Sequence, residues 1–198
     1  MNLPNKLTLL RVILVPFFML FILLPQISGF NPLAGDLIAT VLFGGAAFTD
    51  LLDGKIARKR NLVTDFGKFM DPIADKLMVF GAFLMFLVSD VFALYRYAFA
   101  VIVFIVLLRE FAVTSLRLVA QSSGGKVIAA GQLGKIKTVS QIVFVLLALL
   151  ERHLFSFSDF FVTYMPLTVL SCLVMLIFTV LSGVDYFRSN KQYLDPRK

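Results

Sequence analysis

The sequence predicts an all-α integral membrane protein with six transmembrane helices and a short amphipathic segment at its N-terminus. Three observations favour this fold class. Apolar residues make up 59% of the 198 positions, whereas a soluble domain is expected to hold about 45–50%. Charged residues make up only 16%. The apolar residues also occur in long blocks, which indicates that lipid surrounds most of the protein surface.

Six apolar blocks have lengths near that needed to cross a bilayer. A membrane-spanning helix needs about 20 residues, with a range of about 17–25. The fifth block is short by this measure and the second contains two aspartates, so we expect both to depend on neighbouring helices. The segments between blocks are too short to fold alone, so we predict one domain over residues 1–198. The predicted spans cover residues 7–24, 37–56, 66–88, 97–120, 136–150 and 160–181.

The distribution of basic residues predicts how the chain is oriented. The sequence holds 19 Lys and Arg residues, with a formal net charge of +7. With six spans, all of them except Arg96 and Arg152 fall on the side of the two termini. Because basic loops stay on the cytoplasmic side, both termini are expected in the cytoplasm. In so apolar a chain, we expect the positive charge to contact anionic headgroups or phosphates rather than nucleic acid.

A single cysteine and a single histidine limit the metal chemistry that the chain can support. Cys172 lies inside an apolar block and is expected to be a small buried hydrophobic residue. His153 follows Glu151 and Arg152 at the end of another block, and we expect it to be a solvated loop residue. Any bound metal is therefore expected to be held by oxygen, which favours magnesium, manganese or calcium over zinc or copper.

Four aspartates lie at the facing ends of the second and third predicted spans. Asp50 and Asp53 are three residues apart, and Asp71 and Asp75 are four apart. Each spacing places two carboxylates on one helix face. Because the connection between the spans is short, we expect the two faces to meet, and carboxylates at the membrane need neutralisation. Salt bridges would neutralise one or two of them, whereas two divalent cations match the charge of all four.

Small residues and an arginine beside the aspartates indicate a phosphate ligand. Gly54 and Ala57 leave the helix surface nearly bare, so a bulky ligand can approach the backbone. Arg58 offers a planar fork for phosphate oxygens, and Gly67 opens the facing surface of the third span. Together with the carboxylates, these residues predict a cytoplasm-facing, metal-dependent diphosphate site. Two metals in such a site can stabilise both the attacking and the leaving oxygen of an in-line displacement.

The eight residues form the pattern D-x2-D-G-x2-A-R-x8-G-x3-D-x3-D, complete from Asp50 to Asp75. This pattern resembles the signature of the CDP-alcohol phosphotransferase family, and the six-span layout is similar as well. The resemblance implies that Asp50, Asp53, Asp71 and Asp75 hold two Mg²⁺ or Mn²⁺ ions. It also implies that Asp75 is the general base on the attacking hydroxyl and that CMP leaves a CDP-lipid. The implied CDP site is lined by Gly54, Ala57, Arg58 and Gly67.

Two further segments resemble the bacterial members of that family that use glycerol 3-phosphate as acceptor. They are the stretches REFAVTSLR, residues 109–117, and GKIKT, residues 134–138. The resemblance implies CDP-diacylglycerol and glycerol 3-phosphate as substrates, a homodimer, and a place in the bacterial inner membrane. Arg can hold a phosphate through two hydrogen bonds, and Glu110 could orient Arg109. The candidate ligands of the acceptor phosphate are Arg109, Arg117, Lys135 and Lys137.

The first residues, 2–11, resemble the amphipathic segment with which that family begins. Asn5, Thr8 and Arg11 are candidates for capping the nucleotide pocket. A segment lying at the membrane interface would carry such residues without any further role, so both interpretations stay open.

Three other functions fit parts of the sequence. Another member of the same family would use a different acceptor and make cardiolipin, phosphatidylinositol phosphate or phosphatidylserine. A prenyltransferase also needs carboxylates and magnesium, but the spacing of Gly54, Ala57 and Arg58 and the short chain count against it. A divalent-cation transporter would carry its carboxylates near the middle of the membrane, whereas these cluster at one end.

Overall fold

The computed structural model describes residues 2–60, 64–122 and 131–191, without the side chains of residues 3–4, 51–60, 65, 68, 71 and 121–122. The described residues form helices and contain no strand. The helices are α1 (Leu3–Ser28), α2 (Pro32–Arg60), α3 (Asp65–Val88), α4 (Arg96–Ser122), α5 (Gln132–Leu154), α6 (Asp159–Tyr164) and α7 (Pro166–Ser189), with a short 3₁₀ helix at Asp90–Tyr95.

The helices belong to two compact units, and the prediction of a single domain stays a prediction. The first unit holds Met1–Leu94 and Val145–Met165. The second holds Tyr95–Phe144 and Pro166–Lys198. Helix α5 therefore contributes its second half to the first unit and its first half to the second.

Within the described residues, five helical segments are long and apolar enough to cross a membrane. They correspond to the first, second, fourth, fifth and sixth predicted spans. The third predicted span coincides with α3. The first half of this helix carries Asp71, Asp75 and Lys76 in the sequence and is less apolar than its second half. The all-α membrane architecture is therefore confirmed, as are five of the six predicted spans. The five segments are Asn5–Ser28, Pro32–Asp50, Asp90–Ala120, Gln132–Leu154 and Asp159–Ser189.

Many large apolar side chains on these helices face outward. Val41 is 72% exposed, Phe48 is 62% exposed and Phe104 is 64% exposed. A water-soluble protein rarely exposes so much contiguous apolar surface, whereas hydrocarbon is a good solvent for it. The chain is accordingly a multi-pass membrane protein.

Helix α1 is the central element of the first unit. It packs against both α2 and α3, which touch each other little over the described residues. One buried stripe runs along it at spacings of three or four residues, which keeps the stripe on one side of the helix. The segment predicted as amphipathic forms the first turns of this same helix. The stripe consists of Asn5, Thr8, Arg11, Val15, Phe18 and Ile22.

The start of α2 approaches the end of α1 closely at Gly35. Pro25 lies inside α1 and has no N–H, so it leaves the Phe21 carbonyl without its usual helical donor. A Cβ atom on Gly35 would lie 2.8 Å from that carbonyl oxygen and 2.9 Å from Pro25 Cγ. This close approach therefore requires glycine. Helix α1 ends at Ser28, and the next residue, Gly29, has a left-handed φ of 67°, which is common after the end of a helix.

A buried ion cluster joins the start of α2 to the end of α5 in the first unit. Asp36 is 1% exposed, and its Oδ2 atom accepts hydrogen bonds from Arg152 Nε at 3.1 Å and from Arg152 Nη2. His153 Nε2 lies 2.6 Å from the same oxygen. The prediction of a solvated loop at His153 is wrong, because α5 continues to Leu154 and brings the ring to Asp36. The two helix ends thus lie together, which agrees with the six-span topology, where both are on the same side of the membrane.

Helices α4 and α7 pack side by side in the second unit. Arg109 of α4 donates a hydrogen bond to Ser182 of α7. Further along both helices, the Arg117 guanidinium lies 5.9 Å from the ring centroid of Tyr186. The residue numbers rise together, so the two helices run parallel, as the topology requires for the fourth and sixth spans.

Candidate functional site

Asp50, the first of the predicted metal ligands, lies on α2 and pairs with Arg11 of α1. Arg11 Nη1 is 2.8 Å from Asp50 Oδ1. The Arg11 side chain is fully buried, whereas the Asp50 side chain is 40% exposed. The buried guanidinium therefore holds one carboxylate oxygen in place while part of the carboxylate remains accessible to a ligand.

Of the other three predicted metal ligands, only Asp75 has a described side chain. Asp75 is half-buried on α3, and the side chains of Asp53 and Asp71 lie outside the described residues. Among the residues that are described, no group of three or more His, Cys, Asp or Glu could hold a metal ion. Carboxylate oxygens are suitable ligands for Mg²⁺ or Mn²⁺, and the accessible carboxylate of Asp50 fits such an ion. Metal binding by the four aspartates stays a prediction.

A chain of hydrogen bonds links the start of α1 to the start of α3. Thr64 is the N-cap of α3: its Oγ1 atom accepts from the backbone N–H of Gly67 at 3.1 Å. The same hydroxyl donates to Asn5 Oδ1 at 2.9 Å. Asn5 and Thr8 are 6% and 1% exposed, so both face the protein interior. The surroundings of three residues predicted for the CDP site lie outside the described part of the chain: Gly54, Ala57 and Arg58.

Arg109, Glu110, Lys137 and Ser182 form a second polar cluster, in the second unit. Glu110 Oε1 accepts hydrogen bonds from Arg109 Nη1 at 2.8 Å and from Lys137 Nζ at 2.6 Å. Arg109 Nη2 donates to Ser182 Oγ at 3.0 Å. The predicted orientation of Arg109 by Glu110 corresponds to a direct contact. One carboxylate faces two cations, so the cluster carries a net positive charge that suits an anion.

The other two predicted phosphate ligands lie apart from these contacts. The Arg117 guanidinium lies over the Tyr186 ring, a cation–π geometry. Lys135 is exposed near the start of α5, two residues before the buried Lys137. The structure therefore brings together two of the four predicted cations.

Three residues that the sequence interpretation missed have clear structural roles. Thr64 could have been identified from its sequence, because Thr directly before a helix is a preferred N-cap. Ser182 stands beside Gly183 in an apolar helix, where a pair of small residues indicates close helix packing. Asp36 is an isolated acid beside a predicted span, and such residues commonly pair with another charge.

Comparison with protein families gives one match that covers nearly the whole chain. Residues 1–184 match the family model described as CDP-alcohol phosphatidyltransferase. The matched residues include the pair Arg11–Asp50 and the cluster of Arg109, Glu110, Lys137 and Ser182.

Individual relatives from three bacteria are similar over most of their length. A Bacillus subtilis protein named CDP-diacylglycerol–glycerol-3-phosphate 3-phosphatidyltransferase is 42% identical, over 98% of this chain and 97% of its own. An Escherichia coli K12 protein of the same name is 39% identical, over 72% of this chain and 73% of its own. A Mycobacterium tuberculosis H37Rv protein named "Probable phosphatidylglycerophosphate synthase" is 36% identical, over 93% and 79%.

Proposed function

This chain belongs to the CDP-alcohol phosphatidyltransferase family, and we propose that it transfers the phosphatidyl group of CDP-diacylglycerol to sn-glycerol 3-phosphate. The products are phosphatidylglycerophosphate and CMP. The observation that carries the proposal is the 42% identity to the Bacillus subtilis relative along nearly the full length of both chains. The eight-residue signature between Asp50 and Asp75 is complete in this chain, which supports an intact catalytic site.

In the proposed site, Asp50, Asp53, Asp71 and Asp75 hold two divalent cations, Mg²⁺ or Mn²⁺. When bound, such ions neutralise the diphosphate and stabilise the negative charge that develops on departing CMP. Arg11 supports this arrangement from α1, because its contact with Asp50 Oδ1 fixes one carboxylate of the set. A buried cation also reduces the repulsion among four carboxylates.

Proton transfer in the proposed reaction falls to Asp75. The acceptor hydroxyl oxygen forms a bond to the phosphorus that carries the diacylglycerol, and the anhydride bond from that phosphorus to the CMP oxygen breaks. The hydroxyl proton passes to the Asp75 carboxylate. A carboxylate is acceptor-only when ionised, and a positioned base of this kind contributes about 10²–10⁴-fold to the rate.

The nucleotide part of the CDP-lipid is proposed to bind where α1, α2 and α3 begin or end at one side of the first unit. Asn5 supports this placement because its side chain is tied to the N-cap of α3 through Thr64. Thr8 lies one turn further along the same buried stripe. The proposed ligands and lining residues are Asn5, Thr8, Gly54, Ala57, Arg58 and Gly67.

Glycerol 3-phosphate is proposed to bind at the cations of α4 and α5. Arg109 and Lys137 have the strongest support, because Glu110 holds both of them in a fixed position. Lys135 and Arg117 are proposed to add positive charge around the entering dianion. Ser182 supports the site from α7 by accepting a hydrogen bond from Arg109.

The proposed enzyme is a homodimer in the bacterial cytoplasmic membrane, with both termini and the active site on the cytoplasmic side. The distribution of basic residues supports this orientation, because only Arg96 and Arg152 fall on the opposite side. In this orientation the water-soluble substrate, glycerol 3-phosphate, enters from the cytoplasm, and the water-soluble product, CMP, is released into it.

An assay of purified protein with CDP-diacylglycerol, Mg²⁺ or Mn²⁺ and one acceptor at a time tests the proposal. Glycerol 3-phosphate is expected to give CMP release, and serine, inositol phosphate and phosphatidylglycerol are not. Release with one of these and none with glycerol 3-phosphate would assign the chain to another branch of the family. Cation flux in proteoliposomes without CMP release from any acceptor would indicate a transporter instead.

Substituting Asp75→Asn tests the proposed base. The amide keeps the size of the side chain but cannot accept the hydroxyl proton, so turnover should fall by about 10²-fold or more. Binding of CDP-diacylglycerol, measured directly by titration, should remain within a few-fold. Asp159→Asn, at an exposed acid of α6, is the control and should keep full activity. Near-normal turnover of the Asp75 variant would remove this residue from the mechanism.

A further inference from the structure

A groove lies between α4 and α7 in the second unit, and Arg109 is the only one of its lining residues to which the proposed reaction gives a role. Its volume is about 550 Å³, within the range of about 300–1,000 Å³ that is typical for small-molecule sites. Its walls are almost entirely apolar, and the helices run parallel along it. The lining includes Leu108 and Ala112 of α4 and Val180, Val184 and Phe187 of α7.

Positive charge is concentrated at one end of this groove. Arg188 lies in the last turn of α7, and Lys191 follows the helix. Both side chains are exposed, and neither forms a hydrogen bond or ion pair with another described residue. Arg109 also lines the groove, but its guanidinium is already engaged by Glu110 and Ser182. Two exposed cations therefore lie at one end of the apolar groove.

The geometry matches the two parts of a phospholipid. Val180 and Arg188 are separated by about 12 Å along α7, at about 1.5 Å per residue. A phospholipid can span this distance, with its phosphate at the basic end and an acyl chain along the apolar walls. The basic end is also the end predicted to face the cytoplasm, where the inner leaflet holds anionic headgroups.

We propose that the groove between α4 and α7 is a binding site for an anionic glycerophospholipid of the surrounding bilayer. The phosphate of the lipid contacts Arg188 and Lys191, and one acyl chain fills the space beside Val180 and Val184. The choice of an anionic lipid over a zwitterionic one follows from charge complementarity, because the two cations have no acidic partner among the described residues. This lipid is a resident ligand and is not consumed by the proposed reaction.

Native mass spectrometry of the purified protein tests this site. The protein is mixed with phosphatidylglycerol or phosphatidylcholine of identical acyl chains, and the bound fraction is measured at several lipid concentrations. Phosphatidylglycerol is expected to bind more tightly. The double variant Arg188→Gln, Lys191→Gln should weaken its binding about 30-fold, since each basic residue contributes about fivefold to holding an anionic lipid. Phosphatidylcholine binding should change little.

Two further variants separate the site from general effects. Lys6→Gln removes an exposed cation from the other unit and should leave phosphatidylglycerol binding unchanged. Val184→Trp fills the groove without changing charge and should reduce the binding of both lipids. Equal binding of the two lipids to the unchanged protein, or full phosphatidylglycerol binding by the double variant, would overturn the proposal.

Catalysis distinguishes a resident lipid from the substrate. The double variant should keep its KM for CDP-diacylglycerol within about twofold of the unchanged protein. An increase of fivefold or more would assign the groove to the substrate and overturn a resident site. Because lipid binding is read without turnover, loss of this site and failure of the proposed activity are separate outcomes.

Discussion

Glu110 holds two cations with one carboxylate oxygen in an apolar part of the chain. Arg109 Nη1 and Lys137 Nζ both donate to Oε1, and the residue is 8% exposed. A buried charge that loses its partner is far more costly than an intact pair is stabilising. Glu110 therefore both stabilises the second unit and sets the positions of the two cations proposed to bind the acceptor.

Replacing Glu110→Gln should affect stability and acceptor binding together. The amide can accept a hydrogen bond but does not neutralise the two buried cations, so the free energy of unfolding should fall by about 3 kcal/mol or more. The KM for glycerol 3-phosphate should rise about tenfold or more, a loss of about 1.4 kcal/mol of binding, while the KM for CDP-diacylglycerol stays nearly constant.

Stability can be followed in detergent through Cys172, which is the only cysteine and is 4% exposed. A thiol-reactive fluorophore labels it as the protein unfolds, and the labelling temperature reports Tm. Asp185→Asn, at an exposed acid of α7, is the matched control and should leave both Tm and KM unchanged. A Glu110 variant with an unaltered KM for glycerol 3-phosphate would separate this cluster from the acceptor site.

At this scale, the sequence predicts residues whose partners are adjacent and misses those whose partners are distant. The pairing of Arg109 with Glu110 is predictable because the two are neighbours. The contact of Arg109 with Ser182 depends on how α4 packs against α7, and the contact of Asp36 with Arg152 depends on α2 and α5. Such pairings depend on tertiary packing, which a local pattern does not contain.

Helix α1 extends beyond both ends of the membrane span that the sequence predicts. The predicted span was 7–24, and the helix extends over Leu3–Ser28. The helix is longer than the predicted span because polar residues at its ends interrupt the apolar run that marks a membrane span. These residues do not prevent the helix from continuing. Asn2 caps the first turn by accepting a hydrogen bond from the Asn5 N–H, and Asn is among the residues preferred at this position.

Glycines at two positions of α2 allow a matched test of helix packing. At Gly35, an added methyl group would lie 2.8 Å from a backbone oxygen of α1, so the two helices must move apart. Gly35→Ala should therefore lower the free energy of unfolding by about 1–3 kcal/mol. At Gly45 an added Cβ meets nothing within 4 Å, and Gly45→Ala should raise stability by about 0.5–1 kcal/mol because alanine favours the helix.

The difference between these two variants is measured as a difference in Tm with the Cys172 labelling assay. Because both variants make the same chemical change in one helix, a general effect of alanine cancels. If Gly35→Ala were as stable as Gly45→Ala, the close approach of α1 and α2 at Phe21 and Pro25 would be refuted.

At the scale of the whole molecule, the topology is supported by contacts inside each unit taken separately. Asp36 and Arg152 bring the start of α2 beside the end of α5 in the first unit. Arg109 and Ser182 belong to parallel helices in the second. A chain that crosses the membrane six times in alternating directions predicts both relationships. They therefore agree with the span count, even though the first half of α3 carries several charged residues.

The direction of the chain across the membrane can be tested with single cysteines. In the proposed orientation, which the basic residues predict, the N-terminus lies in the cytoplasm and the turn between α5 and α6 lies outside. Lys6 is exposed near the N-terminus, and Phe157 is 81% exposed in that turn. In a Cys172→Ala background, Phe157→Cys should react with a membrane-impermeant maleimide in intact spheroplasts. Lys6→Cys should react only after the membrane is permeabilised, and the reverse pattern would place the carboxylates of α2 and α3 outside the cell, away from any supply of glycerol 3-phosphate.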